Sequence, residues 1–192
     1  MKKKGFTLIE IMIVLLVFSV GVLAVLRLIL HNMSTMNDLE AKTTATLLAK
    51  EGLEFAYNTR DSNRLASLPR DCIINYQYNA SQNSDPCKNH FLDNQGLRAL
   101  EIIGNDIERK NISDTKLFEE GKLFLKNIGG LKYTHQNTEQ PSIFTRYISF
   151  TGVKDNDKII NTGYLLKIES HVLYQKGTRT GEIVLEGFIG NY

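Results

Sequence analysis

The sequence predicts an α+β protein, in which a long N-terminal helix packs on a C-terminal antiparallel β-sheet. Two observations predict this class. The chain is largely apolar from Phe6 to Leu26 and carries no charge there except at Glu10, and no proline precedes Pro69, so an uninterrupted helix is favoured. From about residue 122 onward, apolar residues fall instead at alternate positions, which is typical of strands with one buried face.

The first half of the helix is long enough to cross a membrane. At 1.5 Å per residue, Phe6–Leu26 spans about 31 Å, close to the ~30 Å hydrocarbon core of a bilayer. The apolar run continues past Arg27, so the transmembrane segment is assigned to residues 6–30. By the positive-inside rule, the basic leader stays in the cytoplasm and the remaining chain lies outside. The leader's lysines are Lys2, Lys3 and Lys4.

One carboxylate interrupts the apolar segment. Glu10 in a membrane-spanning helix costs roughly 2–4 kcal/mol, and no cation lies close to it within the same helix. We therefore expect its partner on another chain, which indicates a subunit of an assembly. Two simpler interpretations stay open: a signal peptide cleaved near Ser19-Val20-Gly21, and a plain uncleaved anchor. The continued apolar run argues against the first, and neither has a use for Glu10.

The residues Lys4-Gly5-Phe6-Thr7-Leu8-Ile9-Glu10 resemble the prepilin signature of type IV pilins and of the pseudopilins of type II secretion and DNA uptake. The resemblance implies a pilin-like fold, cleavage by a prepilin peptidase between Gly5 and Phe6, and methylation of the new Phe6 amine. It also implies that Glu10 faces the Phe6 ammonium of a neighbouring subunit during assembly. Ser19–Ala24 is most similar to minor pilins of the pilus-modification type, and the proline common in major pilins is absent around Val25–Leu28.

The second half of the helix is predicted to be amphipathic. An apolar stripe repeats at helical spacing and suits packing on a globular head, although a soluble helix or coiled coil is the alternative. The stripe consists of Ala41, Ala45, Leu48, Gly52 and Phe55. The predicted organisation is therefore a leader at 1–5, a helix at 6–60, and a head at 61–192 with a loop at 61–95 and a sheet at about 122–192.

Within the head, the sequence predicts a short helix and then strands. Leu100, Ile103 and Ile107 have helical spacing within Leu97–Glu108. A hairpin is predicted around Ile128-Gly129-Gly130. The predicted strand segments are Lys122–Lys126, Leu131–Thr134, Phe144–Phe150 with Arg146 breaking its apolar set, Leu166–Tyr174, and Glu182–Ile189.

The two cysteines, Cys72 and Cys87, share the predicted exported loop. A disulfide between them would stabilise that loop by about 3 kcal/mol in the chain-entropy model, while two free thiols are the alternative in a poorly oxidising envelope.

No residue pattern predicts an enzyme, a metal site or a cofactor. Asp155-Asn156-Asp157 lacks the full spacing of a calcium loop and is interpreted as a solvated hairpin turn. The dispersed histidines form no ligand motif and are expected at the surface: His31, His90, His135 and His171. The net charge of +2 becomes −1 when the three leader lysines are lost (2 − 3 = −1), and no basic patch predicts nucleic-acid binding.

The sequence thus predicts a structural subunit, a minor pilin of a type IV pilus-like filament. Its expected partners are other pilins or pseudopilins, prepilin peptidase and the cytoplasmic membrane. It would be single-pass, with the head outside, and would then enter an extracellular or periplasmic filament. The alternatives are a pseudopilin of a secretion or competence system and, in another class, a signal-anchored binding or enzymatic domain.

Overall fold

The computed structural model describes residues 7–65, 96–103, 106–127, 129–137, 140–155, 158–159, 165–177 and 179–190. These residues form one long helix, α1, and an antiparallel sheet, which confirms the predicted α+β class. The chain divides into two compact units, residues 1–41 and residues 42–192. The second unit contains the sheet together with the C-terminal part of α1.

The helix α1 is continuous over Leu8–Leu65, a length of 58 residues. It extends five residues beyond the predicted end at residue 60, through Asp61-Ser62-Asn63 and into the predicted loop. These residues have modest helix propensity but contain no glycine or proline, so nothing in them breaks the ladder of backbone hydrogen bonds. Polar composition alone was a poor guide to the helix end.

Within the described residues, the main sheet contains seven strands, and the long strand β5 (Gln140–Gly152) lies at its centre. On one edge of β5 lie β8 and then β9; on the other edge, β1 pairs with its C-terminal half and β3 with its N-terminal half. The strands are β1 (Gly96–Ile103), β2 (Asp106–Ile112), β3 (Lys122–Asn127), β4 (Leu131–Thr134), β5 (Gln140–Gly152), β8 (Leu165–Lys176) and β9 (Arg179–Gly190). Asp114–Lys116 is a 3₁₀ turn, and Leu117–Glu120 forms the short helix α2.

The sheet begins at Gly96 rather than near residue 122, because the predicted helix at Leu97–Glu108 is a β-hairpin. The strands β1 and β2 pair in register from Leu97 with Ile112 to Ile103 with Asp106. The two residues between the paired ends are Gly104-Asn105, a dipeptide typical of two-residue hairpin loops that outweighs the helical spacing. A helix of this length is marginal alone, whereas β1 buries Leu100 completely in the core.

The remaining strands follow the predicted alternation. The hairpin of β3 and β4 is confirmed, with Gly129 and Gly130 at positive φ, the conformation for which glycine is suited. The strands β5, β8 and β9 lie side by side in chain order, whereas the other edge of β5 pairs with β3 and β1 instead of with β4. The short pair β6 (Lys154–Asp155) and β7 (Lys158–Ile159) flanks Asn156-Asp157, as expected for a hairpin.

The core of the second unit lies between α1 and the inner face of the sheet. One cluster contains Phe55, Ala56, Leu100, Ile148, Phe150, Leu166, Ile168 and Ile189. A second contains Ala45, Leu48, Ala49, Leu123, Phe144 and Val172. Each fully buried large apolar side chain contributes about 1.5–3 kcal/mol to folding. The helix stripe and the alternating strand residues therefore meet, as their periodicities predicted.

Candidate functional site: the N-terminal helix and the core that carries the head

The N-terminal part of α1 presents an apolar surface on every side. Its large apolar side chains between Leu8 and Leu30 are exposed, from 41% at Val22 to 77% at Leu8. Such a surface is unfavourable in water and marks a contact with lipid or with other protein chains. The helix is long and apolar enough to cross a membrane, although a signal sequence would satisfy the same criteria of length and composition.

Glu10 lies in the first turn of this helix. The backbone N–H groups of Glu10 and Ile11 both donate to the Thr7 carbonyl, at 3.1 and 3.3 Å, so the helix begins immediately before the carboxylate. A helix N-terminus carries free N–H groups and a partial positive charge, which favours an acidic residue there. The side chain is exposed and forms no salt bridge with the described part of the chain. The carboxylate is therefore available to a group from outside.

One polar residue of this segment, Ser19, is satisfied within the helix. The hydroxyl of Ser19 donates to the Leu16 carbonyl at 2.8 Å, so its polar atom is compatible with apolar surroundings. Glu10 is the acidic group of the segment, and in hydrocarbon its carboxylate would need an external partner.

Four of the predicted site residues lie outside the described residues. These are the processing residues Gly5 and Phe6 and the predicted disulfide partners Cys72 and Cys87. Cleavage, methylation and the disulfide remain predictions from the sequence.

The core between helix and sheet contains a buried cation, which corrects the prediction for Arg146. Arg146 was expected to break the apolar alternation of its strand, yet its side chain is 1% exposed and lies on the inner face. Its Nη1 donates to Glu51 Oε2 at 2.5 Å and to the Leu48 carbonyl at 3.3 Å. Its Nη2 donates to the Leu100 carbonyl at 3.3 Å, so one guanidinium joins α1, β5 and β1. The Phe55 ring lies 5.2 Å from its Cζ.

A second buried polar group lies near Arg146. The side chain of Glu101 on β1 accepts a 2.9 Å hydrogen bond from the His135 backbone N–H. Both ring nitrogens of His135 are buried and make no hydrogen bond of normal geometry. Burial, together with the Arg146 charge, lowers the pKa of His135 to about 3, with the backbone of Lys122 acting weakly in the opposite direction. The expectation of a surface histidine is therefore wrong for His135.

The other histidines differ from one another. His31 is exposed on α1, and His90 lies outside the described residues. His171 is partly covered, because its ring stacks on Tyr147 with centroids 4.6 Å apart and its Nδ1 lies 2.8 Å from Glu182 Oε1.

The outer face of β8 carries the polar residues that its alternation predicted, while β9 adds the exposed apolar side chains of Val184 and Phe188. Lys167 Nζ lies 2.7 Å from Glu169 Oε1 and 3.1 Å from Glu186 Oε1. The hydrogen bond from Lys167 lowers the pKa of Glu169, and the two carboxylates raise the pKa of Lys167. Exposed ion pairs of this kind contribute little to stability, so the face is best described as a solvated surface.

The fold and the N-terminal segment define a class: a chain with an exposed apolar N-terminal helix and an α+β head. Residues 1–26 match the family model of the prokaryotic N-terminal methylation motif. The chain therefore carries the prepilin signature of type IV pilins and pseudopilins, which confirms the resemblance inferred from Lys4–Glu10. Neither a comparison with curated proteins nor one with solved structures gives a match.

Proposed function

We propose that this chain is a minor pilin, a non-catalytic structural subunit of a type IV pilus-like filament that assembles through its N-terminal helix. The observation that carries the proposal is the position of Glu10. The carboxylate lies in the first turn of an exposed apolar helix, within the matched motif and five residues after Gly5, where prepilin peptidase would cleave.

Cleavage between Gly5 and Phe6 would create an ammonium group close in sequence to Glu10. In hydrocarbon, the carboxylate alone costs roughly 2–4 kcal/mol, and an ammonium from a neighbouring subunit would offset that cost. Removing one member of a buried charge pair typically costs 3–5 kcal/mol, so subunits out of register would be penalised. Glu10 would thus contribute both attraction between subunits and their register.

The localisation follows from the same segment. Before assembly the chain would span the cytoplasmic membrane through residues 6–30, with the basic leader inside and the head outside. Its partners would be prepilin peptidase and then other pilins, and extraction from the membrane would exchange lipid contacts of the exposed apolar side chains for protein contacts.

A pseudopilin of a secretion or competence system is the second candidate, since the matched motif is common to both groups. The two differ in where the subunit accumulates. A minor pilin should be recovered in surface fibres released by shearing, whereas a pseudopilin should stay with the envelope fraction.

Substitution of Glu10 separates a filament subunit from a simple membrane anchor. Glu10→Gln keeps the side-chain shape and removes the charge, so the variant should insert and be processed but enter filaments poorly. Incorporation is measured by quantitative immunoblotting of sheared filaments or by crosslinking to neighbouring subunits. The matched control is Glu40→Gln, an exposed carboxylate of the same helix outside the apolar segment, which should incorporate normally. Equal incorporation of both variants and the wild type would favour the anchor.

A further inference from the structure

The contact between helix and sheet contains a point of very close approach. A Cβ atom added to Gly52 would overlap Ser170 Oγ on β8 and would lie 3.4 Å from Arg146 Cδ on β5. The helix residue just before it, Glu51, supplies the carboxylate that binds the Arg146 guanidinium. Two consecutive residues of α1 therefore contact two neighbouring side chains of the sheet. Gly52 lies against the Ser170 hydroxyl, which leaves no room for a Cβ atom, and Glu51 binds the buried Arg146 guanidinium.

The apolar residues of α1 alone specify only weakly the position of the helix along its own axis on the sheet. Small residues recur along the packed side of α1 at helical spacing, and a slip of three or four residues could replace Gly52 by an alanine, whose Cβ would overlap only the Ser170 hydroxyl. These residues are Ala45, Ala49, Gly52 and Ala56, all buried. When several axial positions of a helix pack almost equally well, apolar packing does not select one of them. A single buried polar group can then determine which position the helix takes.

The charged pair distinguishes the slipped arrangements. The two slips that bring an alanine, Ala49 or Ala56, over Ser170 also bring Leu48 or Phe55 to the position of Glu51, which leaves Arg146 buried without a carboxylate. An unpaired charge in a core is strongly destabilising.

The two remaining slips fail for a steric reason. One brings Glu54 to Arg146, so the charge is satisfied, but it places Phe55 over Ser170, where not even a Cβ fits. The other slip places Leu48 over Ser170 and Leu47 at the position of Glu51, so it satisfies neither requirement. Only the observed register gives both a carboxylate for Arg146 and a glycine over Ser170.

From these contacts we propose that Arg146, with Glu51 and Gly52, acts as a register lock that selects one axial position of the helix segment 42–65 on the sheet. The lock is a property of the second compact unit and does not depend on filament assembly. It accounts for a buried cation where the alternation of β5 calls for an apolar side chain. The lock fixes which residue of α1 lies at each point of the sheet.

The test uses the full chain in detergent micelles, with two spin labels attached through genetically introduced keto amino acids. The labels replace Asn58 on α1 and Thr151 on β5, both of which are exposed, so the native cysteines are untouched. A slip of one turn moves a helix residue by about 5.4 Å, which changes the distance distribution between the labels measurably. The wild type should give one narrow distribution.

The decisive variant removes both parts of the lock. Arg146→Met with Glu51→Leu replaces the pair by apolar residues, and Ser170→Ala removes the hydroxyl that an alanine Cβ would overlap in the slipped registers. Replacing a buried ion pair in this way is often neutral or stabilising, so the protein should fold while losing the preference for one register. We expect a second distance population, displaced by about one helical turn. A single narrow distribution at the wild-type distance would overturn the proposal.

Single variants provide an independent measurement with a matched control. Glu51→Gln should raise the equilibrium constant for unfolding about tenfold or more, because Arg146 remains buried without a counter-charge. Glu54→Gln removes an exposed carboxylate that pairs with Lys50 at 3.8 Å, and should change the constant by less than about threefold. Equal effects of the two variants would also contradict the lock.

Discussion

At the scale of single residues, Gly52 shows that a small residue in an apolar stripe can have a steric purpose. In sequence it is one member of a helical repeat, and as a glycine it weakens the helix by about 1 kcal/mol relative to alanine. In the structure its missing side chain admits Ser170 Oγ, a buried hydroxyl without a hydrogen-bond partner among the described residues. The close approach therefore depends on a residue that helix propensity alone would disfavour.

This contact leads to a prediction with a built-in rescue. Gly52→Ala should destabilise the head by about 1–3 kcal/mol, because the new methyl group overlaps Ser170 Oγ. Ser170→Ala alone should be neutral or slightly stabilising, since it removes an unsatisfied hydroxyl. The double variant should recover most of the lost stability, as expected for residues in contact. Urea unfolding followed by circular dichroism checks this, and additive effects of the two substitutions would refute the proposed contact.

His135 is a second residue whose environment gives a measurable consequence. The folded state keeps the ring neutral down to about pH 3, whereas the unfolded chain takes up a proton near pH 6.5. Below pH 6.5 the unfolded state therefore binds more protons, and acid favours unfolding. The contribution of His135 is fully present above pH 6.5 and decreases as the pH falls towards 3.

We expect the free energy of unfolding of the wild type to fall between pH 6.5 and 4.5, with up to ~1.4 kcal/mol per pH unit arising from His135. His135→Gln should flatten this part of the profile, whatever its effect on stability at neutral pH. His31→Gln, at an exposed position of α1, should keep the wild-type slope. An identical slope in the wild type and in His135→Gln would show that the ring is accessible to protons in the folded state.

At the scale of secondary structure, the periodicity of apolar residues predicted the strands and the helix face whose buried residues recur at a regular spacing. The alternation of Leu166, Ile168 and Val172 predicted β8, and the helical repeat predicted the face of α1 that packs on the sheet; all three strand residues are fully buried. The hairpin of β1 and β2 was missed because Leu100, Ile103 and Ile107 happen to have helical spacing. The Gly104-Asn105 dipeptide was the local signal that could have corrected it.

The misinterpretation of β5 has a different cause. Its residue Arg146 belongs to the buried face because Glu51, distant in the sequence, supplies a counter-charge there. No window of sequence around β5 contains that information. The same holds for His135, whose ring nitrogens are buried and whose backbone N–H donates to Glu101 on the distant strand β1. Predictions from local pattern fail at such positions because the deciding partner is brought close only by the tertiary fold.

At the scale of the whole molecule, the sequence was most informative where the signal is contiguous. The methylation motif occupies residues 1–26, so its recognition required no tertiary structure. The helix-plus-sheet class followed from two different periodicities in two parts of the chain. The connectivity of the sheet did not, because strand order depends on contacts between segments far apart in the sequence.

Processing of the chain as a prepilin is tested most directly by identifying the N-terminal residue of the mature protein. Protein purified from the membranes and from sheared filaments of its host is analysed by intact mass spectrometry and N-terminal sequencing. We expect a mature chain that begins at Phe6 and carries a methylated N-terminal amine. The same chain expressed without a prepilin peptidase should keep Met1 and its lysine leader. A mature N-terminus at Met1 in the host would contradict processing as a prepilin. So would an N-terminus near Val22, which cleavage of a signal peptide would give.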